Sequence, residues 1–183
     1  MLLNMLVYNI AYLHYGVFDY KIHLPLHLCF ISGYLFIFGI FTKNEKILKI
    51  TFFLSFIGPL PAIIFPEMPS AWESFEFYEY FISHHFFMIL SFFSYYALNL
   101  KITIKDVVIT YILVNVLFLS LMPFNKLLNT NYMFSSGIPE FILELIPLLR
   151  YIHPIIILEI LGTAILLILY QIPRIRNKEL KAK

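Results

Sequence analysis

Apolar residues run through the chain in long blocks rather than alternating with polar ones. Stretches 24–42, 47–65, 80–97, 106–124 and 151–172 are each dominated by Leu, Ile, Val, Phe and Tyr. A helix rises about 1.5 Å per residue, so roughly 20 such residues cross about 30 Å of hydrocarbon. An earlier stretch, 1–15, is shorter and holds Asn4, Asn9 and His14. It has neither a basic n-region nor a small-residue cleavage site, so it reads as a short first span rather than a signal peptide. The pattern predicts an all-α polytopic membrane protein of six transmembrane helices, the first short. It forms a single integral membrane domain over 1–183 with a basic tail at 173–183.

Composition agrees. Of 183 residues, 61% are hydrophobic and only 13% charged, where soluble domains carry about 25%. A lone cysteine excludes a disulfide within the chain and any CxxC motif. Charge then sets the orientation. Loops 16–23, 66–79 and 125–150 carry Lys21, Lys126 and Arg150. The opposite end, with loops 43–46 and 98–105 and the tail, carries Lys43, Lys46, Lys49, Lys101, Lys105, Arg174, Arg176, Lys178, Lys181 and Lys183. Ten basic residues against three make the second end cytoplasmic, with both termini inside a multi-pass protein of the cell membrane. The tail suits anionic headgroups. No aromatic-basic module suggests nucleic acid as a partner.

Several interruptions stand out. Gly58, Pro59 and Pro61 predict a kink within 47–65, either an ordinary bend or a break that lines a cavity. Loop 66–79 is acidic and aromatic, with Trp72, and reads as an interfacial segment or a lid. Residues 140–149 read as a short interfacial helix. Asn115 and Glu159 fall inside spans, where each needs a partner; an interhelical hydrogen bond is the reading for Asn115, while Glu159 fits such a bond and a functional role equally.

The chemistry-bearing residues share one end. His14, His23, His27, Cys29, His84, His85 and His153 all fall near the sparsely charged, outward end. Cys29 and His84 lie at matched depth, roughly 8 Å inside their helices. A thiol with a nearby imidazole is a nucleophile with its base, and at that depth the available electrophile is a lipid ester. A second reading is a metal-dependent lipid hydrolase, because His23 and His27 are four apart, a zinc spacing. Pro25 argues against a helix there, and adjacent His84 and His85 point about 100° apart. A third reading is a non-enzymatic six-span substrate-binding subunit of a transporter. The first reading requires no cofactor and no metal.

The run Leu-Pro-Leu-His-Leu-Cys at 24–29 opens a span. Phe-Thr-Lys-Asn at 41–44, Pro66-Glu67, Phe-Ile-Ser-His at 81–84, Asn115, Asn-Tyr-Met-Phe at 131–134 with Pro139, and Leu158-Glu159 follow in order. In these pieces, over about 22–172, the chain resembles the YwaF-like integral membrane proteins. Glu67 stands where that pattern has aspartate, and the tryptophans expected before Tyr151 are missing. The resemblance implies a six-span fold, similar to an animal multi-pass acyltransferase that moves acyl chains onto lyso ether phospholipids. It implies that Cys29 carries the acyl group and that His84, rather than His85, is its base. His27, His85, Asn131, His153 and Glu159 would support the pair or bind substrate. The expected partners are membrane phospholipids and lysophospholipids; the sequence sets no oligomeric state.

Overall fold

A computed structural model describes residues 10, 12–16, 18–21, 23–66 and 72–182. Most of the first span predicted at 1–15 lies outside these residues. The described residues form helices and turns, with no strand among them.

Helix α1 (Leu28–Phe41) starts late because the chain before it is not helical. Residues 23–27 bend around Pro25, whose missing N–H and ring exclude a helical turn there. At 14 residues α1 is shorter than the span expected over 24–42. A tight turn leads into α2 (Glu45–Ile57), capped by the Asn44 side chain, which accepts from Lys46 N and Ile47 N at 3.1 and 3.3 Å. The predicted kink is present: α2 ends at Gly58 and a short α3 (Pro59–Ile64) continues from it. Pro59 sits at the first position of α3, where a missing N–H is harmless.

Helix α4 (Phe75–Ala97) begins five residues before the apolar block at 80. Ser74 captures Phe77 N at 3.2 Å and pulls the acidic stretch into the helix. Helix α5 (Ile104–Leu128) is fixed at its start by Asp106, which accepts from Thr103 N at 2.7 Å and Thr103 Oγ1 at 2.8 Å. It ends at Asn129, in the left-handed conformation with φ 53°. A loop with a 3-10 turn at Tyr132–Phe134 leads to the short α6 (Glu140–Leu145). Arg150 pairs there with Glu140, so the predicted interfacial helix is shorter than 140–149. The last helix, α7 (Pro154–Ala182), starts at a proline and runs into the basic tail.

Helix α2 is the centre of the bundle and touches α1, α4, α5 and α7. Thr51, Phe52, Phe53, Leu54 and Ser55 are all fully buried. The hydroxyls of Thr51 and Ser55 donate to Leu48 O and Phe52 O of the same helix, so an apolar surround leaves no polar group unpaired. Three stretches are long and apolar enough to cross a bilayer: Glu45–Ile64, Ile104–Leu128 and Pro154–Asn177. Leu28–Phe41 is apolar but shorter.

The loops sort into two ends. At one, Arg176 Nη2 donates to Asn99 Oδ1 at 2.6 Å and Asn177 Nδ2 to Ile102 O at 2.9 Å. The Arg176 guanidinium lies over the rings of Tyr95 and Tyr96, 4.8 and 4.9 Å from their centroids. At the other end, Tyr132 Oη donates to Tyr20 O at 2.5 Å and accepts from Leu24 N at 3.1 Å. Arg176→Ala removes the cation–π stack and the tie to Asn99. We expect it to cost about 1–3 kcal/mol, read as a lower melting temperature of the full chain in detergent. Arg174→Ala, whose partner is Gln171 on the same helix, should leave melting nearly unchanged.

Candidate functional site

Cys29 is the second residue of α1 and partly exposed. Its thiol lies against the backbone N–H groups of Cys29 and Phe30, in the first helical turn. The N–H groups of that turn are the donors a helix leaves without internal partners. What brings α1 down at this point is Gly58. A Cβ at Gly58 would fall 3.0 Å from Cys29 N and 3.3 Å from the carbonyl carbon of Leu28. The break between α2 and α3 is thus the seat on which the cysteine's backbone rests.

His27 is the residue at which α1 begins, with extended backbone at φ −71° and ψ 150°. Its ring packs edge-on against Tyr132, centroids 5.1 Å apart, and tilted against Phe134 at 5.7 Å. His27 and His84 lie within electrostatic range of one another, as do Cys29 and Glu79. Helices α1 and α4 touch, with Phe36 edge-on to Phe87 at 5.6 Å between centroids. His84 is partly buried. Its Nδ1 sits 2.7 Å from Tyr80 O, and its ring packs on that of Tyr80 at 4.3 Å. A carbonyl only accepts, so Nδ1 carries the hydrogen and Nε2 keeps its lone pair. No hydrogen bond joins the Cys29 thiol to His84 among the described residues.

His85 makes the same bond to Phe81 O at 2.7 Å but is exposed, so the adjacent histidines face different surroundings. His153 is exposed at the start of α7, where its Nδ1 accepts from Ile155 N at 3.3 Å. Asn131 spends its amide within its own loop, donating to Gly137 O at 2.9 Å and accepting from Ser136 N at 2.9 Å. Glu159 accepts from Tyr111 Oη of α5 at 2.9 Å, the structural one of its two readings. Asn115 differs from expectation: its Nδ2 donates to Tyr111 O of its own helix at 3.1 Å.

The metal arrangement requires correction. His23 and His27 do not share a helical face, because residues 23–27 are bent. His23 Nδ1 accepts from Asp19 N at 2.8 Å, and its ring stacks on Tyr12 at 4.2 Å. Among the described residues, no three His, Cys, Asp or Glu side chains come together as a metal would need.

Sequence reasoning missed the support beneath His27. Asn125 is 1% exposed and makes four hydrogen bonds. Its Nδ2 donates to Tyr132 O at 2.8 Å and Ser135 Oγ at 2.7 Å. Its Oδ1 accepts from Thr130 Oγ1 at 2.7 Å and Tyr132 N at 3.1 Å. The node holds Tyr132 in place, and Tyr132 in turn bonds Tyr20 O and Leu24 N and flanks His27. Burial, with the charge of Asp19 adding to it, raises the pKa of the Tyr132 hydroxyl above the ordinary phenol range, so it remains a donor. Glu79 was missed too, being assigned to a loop rather than to the first turns of α4.

Comparison with known proteins adds one match. The model of the TMEM164 family covers residues 1–170. No curated protein and no solved structure matches the chain.

Two substitutions test this construction. Gly58→Ala sets a methyl group against backbone that cannot swing aside. We expect a loss of roughly 1–3 kcal/mol and an altered rate of maleimide labelling at Cys29. Gly162→Ala, whose Cβ has its nearest neighbour at 3.9 Å, should change neither. Asn125→Ala strands buried partners and should cost about 2–4 kcal/mol, seen as a fall in melting temperature.

Proposed function

We infer that this chain, which belongs to the TMEM164 family, is a membrane phospholipid acyltransferase or transacylase with Cys29 as nucleophile and His84 as base. The observation that carries the reading is the electrostatic proximity of His84 to His27, two residues before Cys29, with Nδ1 of His84 committed to Tyr80 O and its Nε2 left available. The resemblance to YwaF-like proteins supports the same pair.

In the first step, His84 Nε2 takes the proton of the Cys29 thiol, and the sulfur attacks the carbonyl carbon of a phospholipid ester. The carbon–oxygen bond to the glycerol breaks, and the leaving alkoxide takes the proton from His84. A thioester on Cys29 and a lysophospholipid result. In the second step, the hydroxyl of another lysophospholipid gives its proton to His84 and attacks the thioester. A new ester forms, and the thiol regains its proton. N–H groups at the start of α1 stand beside the sulfur, where oxyanion charge develops. Closing the gap between the thiol and His84 accompanies substrate binding, since such contacts tighten in the working complex.

Lipid esters lie at the depth of the first turn of α1, which accounts for the shallow placement of the cysteine. The charge asymmetry between the two ends supports an outward-facing site in a multi-pass protein of the cell membrane. His27, two residues before Cys29 and packed on Tyr132 and Phe134, would orient the pair. His85 and His153 are exposed and would contact a phosphate headgroup.

The test uses full-length protein in vesicles with a fluorescent phospholipid and a lysophospholipid acceptor. Wild type should transfer the labelled chain and form a hydroxylamine-labile adduct on Cys29. Cys29→Ser should lose roughly 100-fold or more in rate, and His84→Ala about 100-fold. Transfer by Cys29→Ser at the wild-type rate would remove the cysteine from the mechanism.

A further inference from the structure

Helix α3 ends with a carbonyl that its own backbone cannot serve. In a continuing helix Ala62 O would accept from the N–H four residues on, but residue 66 is proline and has none. The Phe65 N–H, three residues on, is spent on Pro61 O at 2.8 Å. A donor comes instead from another helix. Tyr80 Oη of α4 donates to Ala62 O at 2.9 Å, where α3 and α4 touch.

The same tyrosine holds His84 in two further ways. Its backbone carbonyl takes the Nδ1 hydrogen at 2.7 Å, which fixes the tautomer. Its ring packs on the imidazole, centroids 4.3 Å and planes 36° apart, which restricts the imidazole's rotation. The two residues are four apart and share one face of α4. His85 takes Phe81 for both contacts instead, its carbonyl at 2.7 Å and its ring at 6.3 Å between centroids. At the far side of the tie, the short α3 (Pro59–Ile64) begins beside Gly58, against which the backbone of Cys29 rests. One side chain thus connects the segment that seats the cysteine to the imidazole assigned as its base.

We propose that Tyr80 is a positioning residue for His84. Its hydroxyl fixes α4 against α3, and its ring and carbonyl fix the imidazole on α4, so the Nε2 lone pair is held at a set place relative to the Gly58 break. Tyr80 acts through His84 and touches no reacting atom. Its effect on catalysis rests on the acyl-transfer reading above; its hold on His84 does not. A displacement of about 1 Å in a catalytic group costs up to about 100-fold in rate, so losing this one tie affects turnover far more than folding.

The experiment compares full-length wild type, Tyr80→Phe and Tyr80→Leu in phosphatidylcholine vesicles, with rates taken per folded molecule. Tyr80→Phe keeps the ring and loses the tie to Ala62; Tyr80→Leu loses both. The first should lower the rate at which the Cys29 adduct forms from a fluorescent phospholipid about tenfold, with KM little changed, and the second should lower it further. A purely structural role would reduce the folded fraction and leave the rate per folded molecule as it was. The second readout needs no acyl transfer: modification of each imidazole by diethyl pyrocarbonate, read by mass spectrometry. In both variants His84 should be modified severalfold faster than in wild type, and His85, one residue away and held by Phe81, at its wild-type rate. Adduct formation by Tyr80→Phe at the wild-type rate, an unchanged His84-to-His85 ratio in both variants, or equal acceleration of the two histidines would each overturn the proposal. If wild type itself forms no adduct, the acyl-transfer reading falls, and the His84-to-His85 ratio alone decides whether Tyr80 positions the imidazole.

Discussion

Everything else in this fold is arranged around a helix that has no free side. Helix α2 touches α1, α4, α5 and α7, and its middle, Thr51 to Ser55, is completely buried. Such a helix tolerates polar side chains only if they satisfy themselves, and Thr51 and Ser55 do so through their own carbonyls. Thr51 O also accepts from Ser91 Oγ of α4 at 3.4 Å. The aromatic side chains fill the remaining volume, with Phe52 set against Phe53, Phe92 and Tyr95. Where α2 stops, at Gly58, the absence of a side chain lets α1 rest directly on the break. The position of Cys29 is therefore a consequence of how the central helix ends.

The two ends of the bundle are built differently. The basic end has short connections, closed by Arg176 reaching Asn99 and stacking on Tyr95 and Tyr96. The opposite end carries the long connections and depends on the Asn125–Tyr132 node to hold them. Tyr132 is fully buried and bonded at both its backbone and its hydroxyl. A rigid loop beside His27 gives the imidazole one fixed neighbour. His84, anchored to Tyr80 on α4, has another. With separate anchors, neither imidazole has to move for the other to hold its place.

How much of this was legible in the chain depends on the kind of signal. The kink at Gly58 and Pro59 was visible because a proline's missing donor acts locally. The difference between His84 and His85 was visible because adjacent residues on a helix point about 100° apart. The late start of α1 was legible in part, since Pro25 already disfavoured a helix at 23–27. The Asn125 node was not legible. Asn125, Thr130 and Ser135 are ordinary loop-forming residues in sequence, and only a left-handed turn at Asn129 and positive φ at Met133 and Phe134 fold them onto one another. Asn131 had looked the more informative asparagine, yet its bonds serve its own loop.

By itself the sequence determined the solvent. Long apolar blocks and few charges commit the chain to helices in a bilayer, because only there are the backbone groups and the side chains satisfied together. Counting residues along the apolar blocks also led to the expectation that the cysteine and the histidines share one end. Only the tertiary structure decided which of them meet. It joined His27 to Tyr132 and Glu159 to Tyr111, put Cys29 against Gly58, and kept His23 away with Asp19 and Tyr12. Those pairings depend on which helices neighbour one another and on how each is rotated, and neither is encoded in the spacing within a single helix.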